Sequence, residues 1–305
     1  MADMRLRFEK EVSMMERASQ LFLCGVLIVG AMVSGCTTKT DDVVISPDGV
    51  EIRFDRLGEG RPALVFIHGW ANDRSVWAAQ AVHFSSNYEV VNIDLPSFGE
   101  SGKNRQHFTI EAFGEDVASV IEGLGLDEVV LIGFSMGATV AIEAATNIPE
   151  HVVGVVIVEE MHNIEAVPPP SAFDDIEEFY MDVITNPTNE KLVSNGFYIN
   201  NQETTYQRVL SMVQVPSRDG WRESLRDLFR WLNEDCVESL GQLQVPLVAI
   251  NAAMQPTNVE AFQKHVPSFQ AKIVSDAGHL IMWDAPEEFD RLLAESIEEF
   301  MAASR

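Results

Sequence analysis

Ser135 stands in Gly133-Phe134-Ser135-Met136-Gly137, between an apolar run that ends at Ile132 and the helix-prone stretch 138–145. A G-x-S-x-G sequence in this strand–turn–helix setting makes a nucleophile elbow, a sharp turn that exposes the serine hydroxyl. The glycines flank it because a larger side chain at either position would meet neighbouring backbone. The helix that begins there aims unpaired N–H groups and the positive end of its dipole at the same spot. A serine hydroxyl is a weak nucleophile and needs a base. Of the seven histidines, His279 is the best placed. It follows the last predicted strand through Ser275-Asp276-Ala277-Gly278 and precedes the terminal helix. A loop at that strand's carboxyl end carries its imidazole over the elbow. His162 is the rival, while His83, His107, His151 and His265 read as solvated surface residues.

The elements that must position this chemistry follow from hydrophobic patterning. From residue 43 onward, short apolar runs alternate with helical stretches, the pattern of a mostly parallel sheet flanked by helices. Residues 43–46 and 50–57, split by Pro47-Asp48-Gly49, predict an opening hairpin. Residues 63–67, 90–93, 129–132, 152–158, 247–251 and 271–274 predict strands buried on both faces. Residues 110–124 and 286–301 predict helices, the second opened by proline. The interval 161–240 breaks the rhythm with helical periodicity, Pro168-Pro169-Pro170 and many aromatics. It predicts an all-helical cap over the sheet's carboxyl ends, where open α/β sheets bind ligands. Its aromatics read mainly as helix-packing core, with some also facing substrate.

These motifs resemble, in order, those of the α/β-hydrolase superfamily. Ala277-Gly278-His279 is similar to the A-G-H segment around the base of many members. His68-Gly69-Trp70 resembles the H-G-x segment that supplies half of an oxyanion hole. The resemblance implies that the backbone N–H of Trp70, paired with that of Met136, holds the oxyanion, each donor lowering the barrier by about 3 kcal/mol. His68 itself would hold the loop by hydrogen bonds. Asp94-Leu95-Pro96-Ser97-Phe98-Gly99-Glu100-Ser101-Gly102 resembles the family's D-x-P-G-x-G-x-S stretch, with Ser97 in place of the first glycine.

The third triad member should be a carboxylate that fixes the imidazole's tautomer. The family's usual segment, like G-x-x-D-P, here reads Ile250-Asn251-Ala252-Ala253-Met254-Gln255-Pro256-Thr257 and contains none. Ala253 or Gln255 stands where the acid is expected. In some members, haloalkane dehalogenases among them, the acid follows the preceding strand. Gly154-Val155-Val156-Ile157-Val158-Glu159 resembles that arrangement and implies Glu159 as the acid, with Glu160 as the alternate. The other reading is a triad without its acid. Asp276 is too close in sequence to reach the far imidazole nitrogen. Dehalogenation itself is disfavoured, because it uses an aspartate nucleophile and this elbow presents serine.

Upstream, four basic residues precede a 13-residue apolar run, 21–33, and then Val33-Ser34-Gly35-Cys36. The run is short for a bilayer span and fits the core of a secretory signal. The tetrapeptide resembles a bacterial lipobox, which implies cleavage before Cys36 and acylation of its thiol; an uncleaved membrane anchor is the alternative. Either exports the protein. The expected organisation is a signal peptide at 1–35, a hydrolase core at 36–160 and 241–305, and the cap at 161–240. The net charge of −26 disfavours nucleic-acid binding and a basic membrane patch. Removing residues 1–35 leaves it unchanged, since they carry equal numbers of acidic and basic groups. Cys236 follows Asn233-Glu234-Asp235, where negative charge opposes a thiolate. No metal or organic cofactor is implied. The resemblance implies a carboxylesterase-like serine hydrolase acting on a small ester or related acyl substrate. Carbon–carbon or thioester hydrolysis, acyl transfer, and a non-catalytic envelope binding protein are the alternatives.

Overall fold

Runs of consecutive Val, Ile and Leu leave no polar face, so they form strands only where both sides of a sheet are covered. The strands are β1 (Thr40–Ile45), β2 (Glu51–Leu57), β3 (Ala63–Ile67), β4 (Val90–Ile93), β5 (Val129–Phe134), β6 (Val152–Val158), β7 (Leu247–Ala252) and β8 (Gln270–Val274). A computed structural model of the chain describes residues 40–200, 202–213 and 219–304. The strands form one sheet in the order β1-β2-β4-β3-β5-β6-β7-β8. β1 and β2 pair antiparallel, as do β2 and β4, and every other pairing is parallel. β3, β5 and β7 are buried at every residue.

Edge strand β8 departs from the expectation of a strand buried on both faces. Its first four residues are exposed or half-buried and only Val274 is buried. It has a neighbour on one side alone, and Lys272 reaches Glu299 at 3.1 Å. A charged residue on an open edge also discourages pairing with another chain.

Helices α1 (Ala78–Phe84), α2 (Ile110–Leu124) and α3 (Met136–Asn147) connect the first strands. Between β6 and β7 lie α4 (Phe173–Thr185), α5 (Asn189–Ser194), α6 (Glu203–Val213), α7 (Asp219–Glu234) and α8 (Cys236–Gln242), with no strand among the described residues. α9 (Val259–Gln263), α10 (Ile281–Asp284) and α11 (Pro286–Ala303) complete the chain. Trp221 and Trp231 of the insert are fully buried, whereas Tyr180, Phe197 and Phe229 line a cavity. The insert's aromatics therefore divide between packing and lining.

The chain leaves β3 toward β4 and then crosses to β5 on β3's other side, which makes the β3/β5 boundary a topological switch point. Parallel pairing brings the carboxyl ends of β3, β5, β6, β7 and β8 to one edge. His68, Ser135, Glu159, Ala253 and Ser275 are the first residues beyond them. No helix among the described residues is long and apolar enough to cross a membrane. The expectations for residues 1–35 and Cys36 lie outside the described residues.

Candidate active site

Ser135 joins β5 to α3 with φ 50° and ψ −125°, a strained conformation that costs on the order of 1–3 kcal/mol and persists only when its surroundings enforce it. The enforcement is steric. A Cβ at Gly133 would stand 2.1 Å from the carbonyl oxygen of Gly137, and one at Gly137 2.5 Å from those of Ile67 and His68. The turn can close only with glycine at both positions.

The β3 loop lies directly over the serine, where a Cβ on Gly69 would stand 3.0 Å from that of Ser135. The next residue, Trp70, is anchored by its indole N–H, which donates to Trp221 O at 2.7 Å. Met136 opens α3, so its N–H has no intrahelical acceptor. Among the described residues, neither the Trp70 nor the Met136 N–H is taken by an acceptor. Under this loop, His68 is fully buried. Its Nδ1 lies 2.7 Å from Gly69 O and its Nε2 accepts from Leu95 N–H at 3.0 Å, which assigns the ring proton to Nδ1. Burial holds the ring's pKa below its usual value. Asp94 braces the same layer by accepting from the N–H groups of Arg74 at 2.7 Å and Glu100 at 2.8 Å. Ser97 takes φ 74°, so this serine adopts the left-handed backbone that the family's glycine would adopt freely.

Glu159 and Met161 both have φ 52°, and the two turns send consecutive carboxylates in different directions. Glu159 is buried. Its Oε2 lies 3.3 Å from His279 Nδ1, and its Oε1 accepts from Ala252 N–H. The β7 end that lacks a carboxylate of its own thus contributes a backbone donor to the one from β6. Glu160 goes the other way: its Oε2 stands 3.5 Å from Ser135 Oγ, a long contact, while its Oε1 accepts from Met161 N–H at 3.0 Å. Ser135 and His279 line one cavity, and the Phe134 ring centroid is 4.8 Å from that of His279. No direct hydrogen bond joins Ser135 to His279 among the described residues. Such bonds often tighten only when substrate arrives.

The insert holds the histidine loop through backbone, a contact that leaves no signature in residue types. His279 N–H donates to Gly196 O and Leu280 N–H to Phe197 O, each at 2.8 Å. Asp284 accepts from Gly278 N–H and Ile199 N–H at 2.9 Å, and from Asn200 N–H at 3.2 Å.

Two chambers meet at these residues. The first, about 1000 Å³ including its mouth, is lined by Ser135 and His279 and walled by apolar groups such as Val183, Leu192, Val209, Leu225 and Leu228. The second, about 810 Å³, is more polar and adjoins Glu159, His162, Asn195 and Gln255. Glu160, Tyr180, Phe197 and His279 border both. Enclosure in this apolar setting pushes the Glu160 carboxyl above the usual carboxylate range, and Glu159 adds to the push; Met161 N–H and the His279 and His162 rings oppose it. Burial, helped by Glu160, pushes the Tyr180 phenol up to about 12.

The other candidates fall elsewhere. His162 Nε2 is 3.6 Å from Glu159 Oε1 and borders the second chamber, not the one that Ser135 lines. Asp276 is exposed. Cys236 is buried, and its thiol is pushed up to about 12 by burial first and then by Glu160 and Glu143; these, not its sequence neighbours Glu234 and Asp235, are the opposing charges. No group of three or more His, Cys, Asp or Glu able to hold a metal ion is gathered among the described residues.

An elbow serine at the switch point of this sheet defines a class, and the chain belongs to it: it is a member of the alpha/beta hydrolase fold family, whose family model matches residues 62–286. The chain is similar to the 3-oxoadipate enol-lactonase 1 of Acinetobacter baylyi, 23% identical over 241 residues that cover 77% of this chain and 88% of that protein. It is equally similar to a pimeloyl-(acyl-carrier protein) methyl ester esterase of Aeromonas hydrophila subsp. hydrophila, 23% identical over 271 residues, 80% of this chain and 98% of that protein. Among solved structures, a thermophilic esterase from Thermogutta terrifontis superimposes with a TM-score of 0.67 at 22% identity, over 87% of this chain and 98% of that one.

Proposed function

We propose that this protein is a serine hydrolase that cleaves a carboxylic ester with an apolar acyl group. The observation that carries the reading is the strained Ser135 lining an apolar chamber together with a histidine whose Nδ1 meets a buried carboxylate. In this reading Ser135 Oγ attacks the ester carbonyl as His279 Nε2 takes its proton. Glu159 holds the imidazole proton on Nδ1 and stabilises the imidazolium that forms. The N–H groups of Trp70 and Met136 receive the charge that develops on the carbonyl oxygen. His279 then gives its proton to the departing alcohol, leaving Ser135 acylated. Water, deprotonated by the same imidazole, attacks the acyl group and restores the serine. The relatives' names, an enol-lactonase and a methyl ester esterase, support ester-type bonds. The placement that goes with this proposal is export and lipid anchoring through Cys36, supported by Val33-Ser34-Gly35-Cys36.

A series of p-nitrophenyl esters of increasing acyl length tests the reading. Each buried methylene contributes about 0.8 kcal/mol, so kcat/KM should rise by up to about fourfold per carbon until the chamber is filled. The expected series climbs from acetate to a medium-chain maximum and falls at palmitate. No hydrolysis of any member would contradict the proposal and favour a binding role.

A further inference from the structure

We propose that Glu160 is a positioning residue for the nucleophile: its carboxyl O–H donates to Ser135 Oγ, so that the Ser135 hydroxyl turns its own proton toward His279. The inference rests on the serine-hydrolase reading above and adds to it a second carboxyl with a role unlike that of Glu159.

Geometry assigns the two Glu160 oxygens. Met161 N–H already donates to Oε1 at 3.0 Å, which leaves Oε1 as the carbonyl-type acceptor. Oε2, 3.5 Å from Ser135 Oγ, is then the oxygen that carries the proton. The left-handed backbone at Glu159 and Met161 fixes this direction. The surroundings, burial first, strengthen the carboxyl's hold on that proton. Tyr180 of α4, Cys236 of α8, Glu159 and His162 of the β6 loop, and His279 of the β8 loop are the titratable groups that face the carboxyl. The two imidazoles favour its ionised form, while burial and the Glu159 charge oppose it and prevail.

The protonation state decides what Ser135 does. Uncharged, Glu160 donates, and the serine proton is left for the imidazole. Ionised, Glu160 can only accept; it draws the serine proton to itself and away from the base, and it repels the charge growing on the substrate oxygen. The O–H also serves the second half of the reaction. When the acyl group is released, the bond from its carbon to Oγ breaks and the electron pair stays on Oγ. The Glu160 O–H steadies that oxygen until His279 returns the proton. Activity must therefore fall as pH rises through the Glu160 titration.

The test compares kcat/KM against pH for wild type, Glu160→Gln and Glu160→Ala on one p-nitrophenyl ester, with Ser135→Ala as the blank. Gln mimics the uncharged acid: its oxygen serves Met161 N–H and its NH₂ serves Ser135. Wild type should lose roughly tenfold or more across the alkaline limb, about the effect of one hydrogen bond at a reacting atom. E160Q should lack that limb and recover most of the rate that E160A loses. Stability supplies an independent readout. The folded chain holds the Glu160 proton at pH values where the unfolded chain has released it, so wild-type stability falls as pH rises through that window. The Tm of E160Q should exceed that of wild type above the window and meet it below. An E160Q profile that keeps the alkaline fall, or an E160Q as slow as E160A, overturns the assignment. If wild type is no faster than S135A, the hydrolase reading itself fails and this inference fails with it. A wild type that S135A silences but whose limb survives in E160Q removes only the Glu160 role.

Discussion

Ser135→Ala lowers kcat for an acyl ester by about 10⁶-fold, the expected loss when the nucleophile of a triad is removed. Nothing else at the elbow can replace it. Glu160, 3.5 Å from Oγ, is a weak nucleophile turned against Met161 N–H, so it does not form the acyl intermediate in its place. Cys236 is buried with its thiol pushed up to about 12. What remains is attack by water on a carbonyl held by two backbone donors. The variant should stay folded, because alanine keeps the Cβ and the φ of 50° is imposed by Gly133 and Gly137. Its stability should shift by about 1 kcal/mol or less. Steady-state turnover with a thermal melt of the same preparation checks both statements.

Glu159→Gln lowers kcat by about 10³–10⁴-fold, again without unfolding the protein. The size of the effect follows from the two bonds that Glu159 makes. Ala252 N–H requires an acceptor, so the amide oxygen of Gln must occupy the Oε1 position. The NH₂ then faces His279 Nδ1, where the carboxylate now sits at 3.3 Å. A donor there forces the ring proton onto Nε2, the nitrogen that has to accept from Ser135. The isosteric change therefore reverses the tautomer while leaving the packing intact. Glu159→Asp moves the carboxylate back by one methylene and should fall between the two. Full turnover in E159Q would remove Glu159 from the proposed triad.

The parts of this site that could be read from the sequence are those whose cause is local. The elbow was legible because Gly133 and Gly137 are required by contacts within one turn. β3, β4 and β6 fall where short, mainly apolar runs predict them. A carboxylate at the end of β6 was legible by displacement: the segment after β7 has no carboxylate, and an apolar run ending in two glutamates precedes it. Which glutamate faces the imidazole was not legible. That depends on left-handed turns at Glu159 and Met161, conformations that neither residue type favours and that only the surrounding fold imposes. The role of Asp284 was hidden for a related reason, since it gathers backbone N–H groups from residues 199 and 278, which are remote from each other in the chain. The half-exposed β8 was misjudged because hydrophobicity marks a strand but does not say whether it lies at the edge of the sheet.

Sharing of one cavity by Ser135 and His279 becomes a catalytic statement only if the hydroxyl is activated, and covalent capture reads that directly. Wild type treated with a fluorophosphonate probe should gain the mass of a single adduct, and peptide mapping should locate it on Ser135. His279→Ala and Ser135→Ala should remain unmodified under the same conditions. An adduct on another residue, or labelling of wild type no greater than that of Ser135→Ala, would contradict a nucleophilic serine at this elbow.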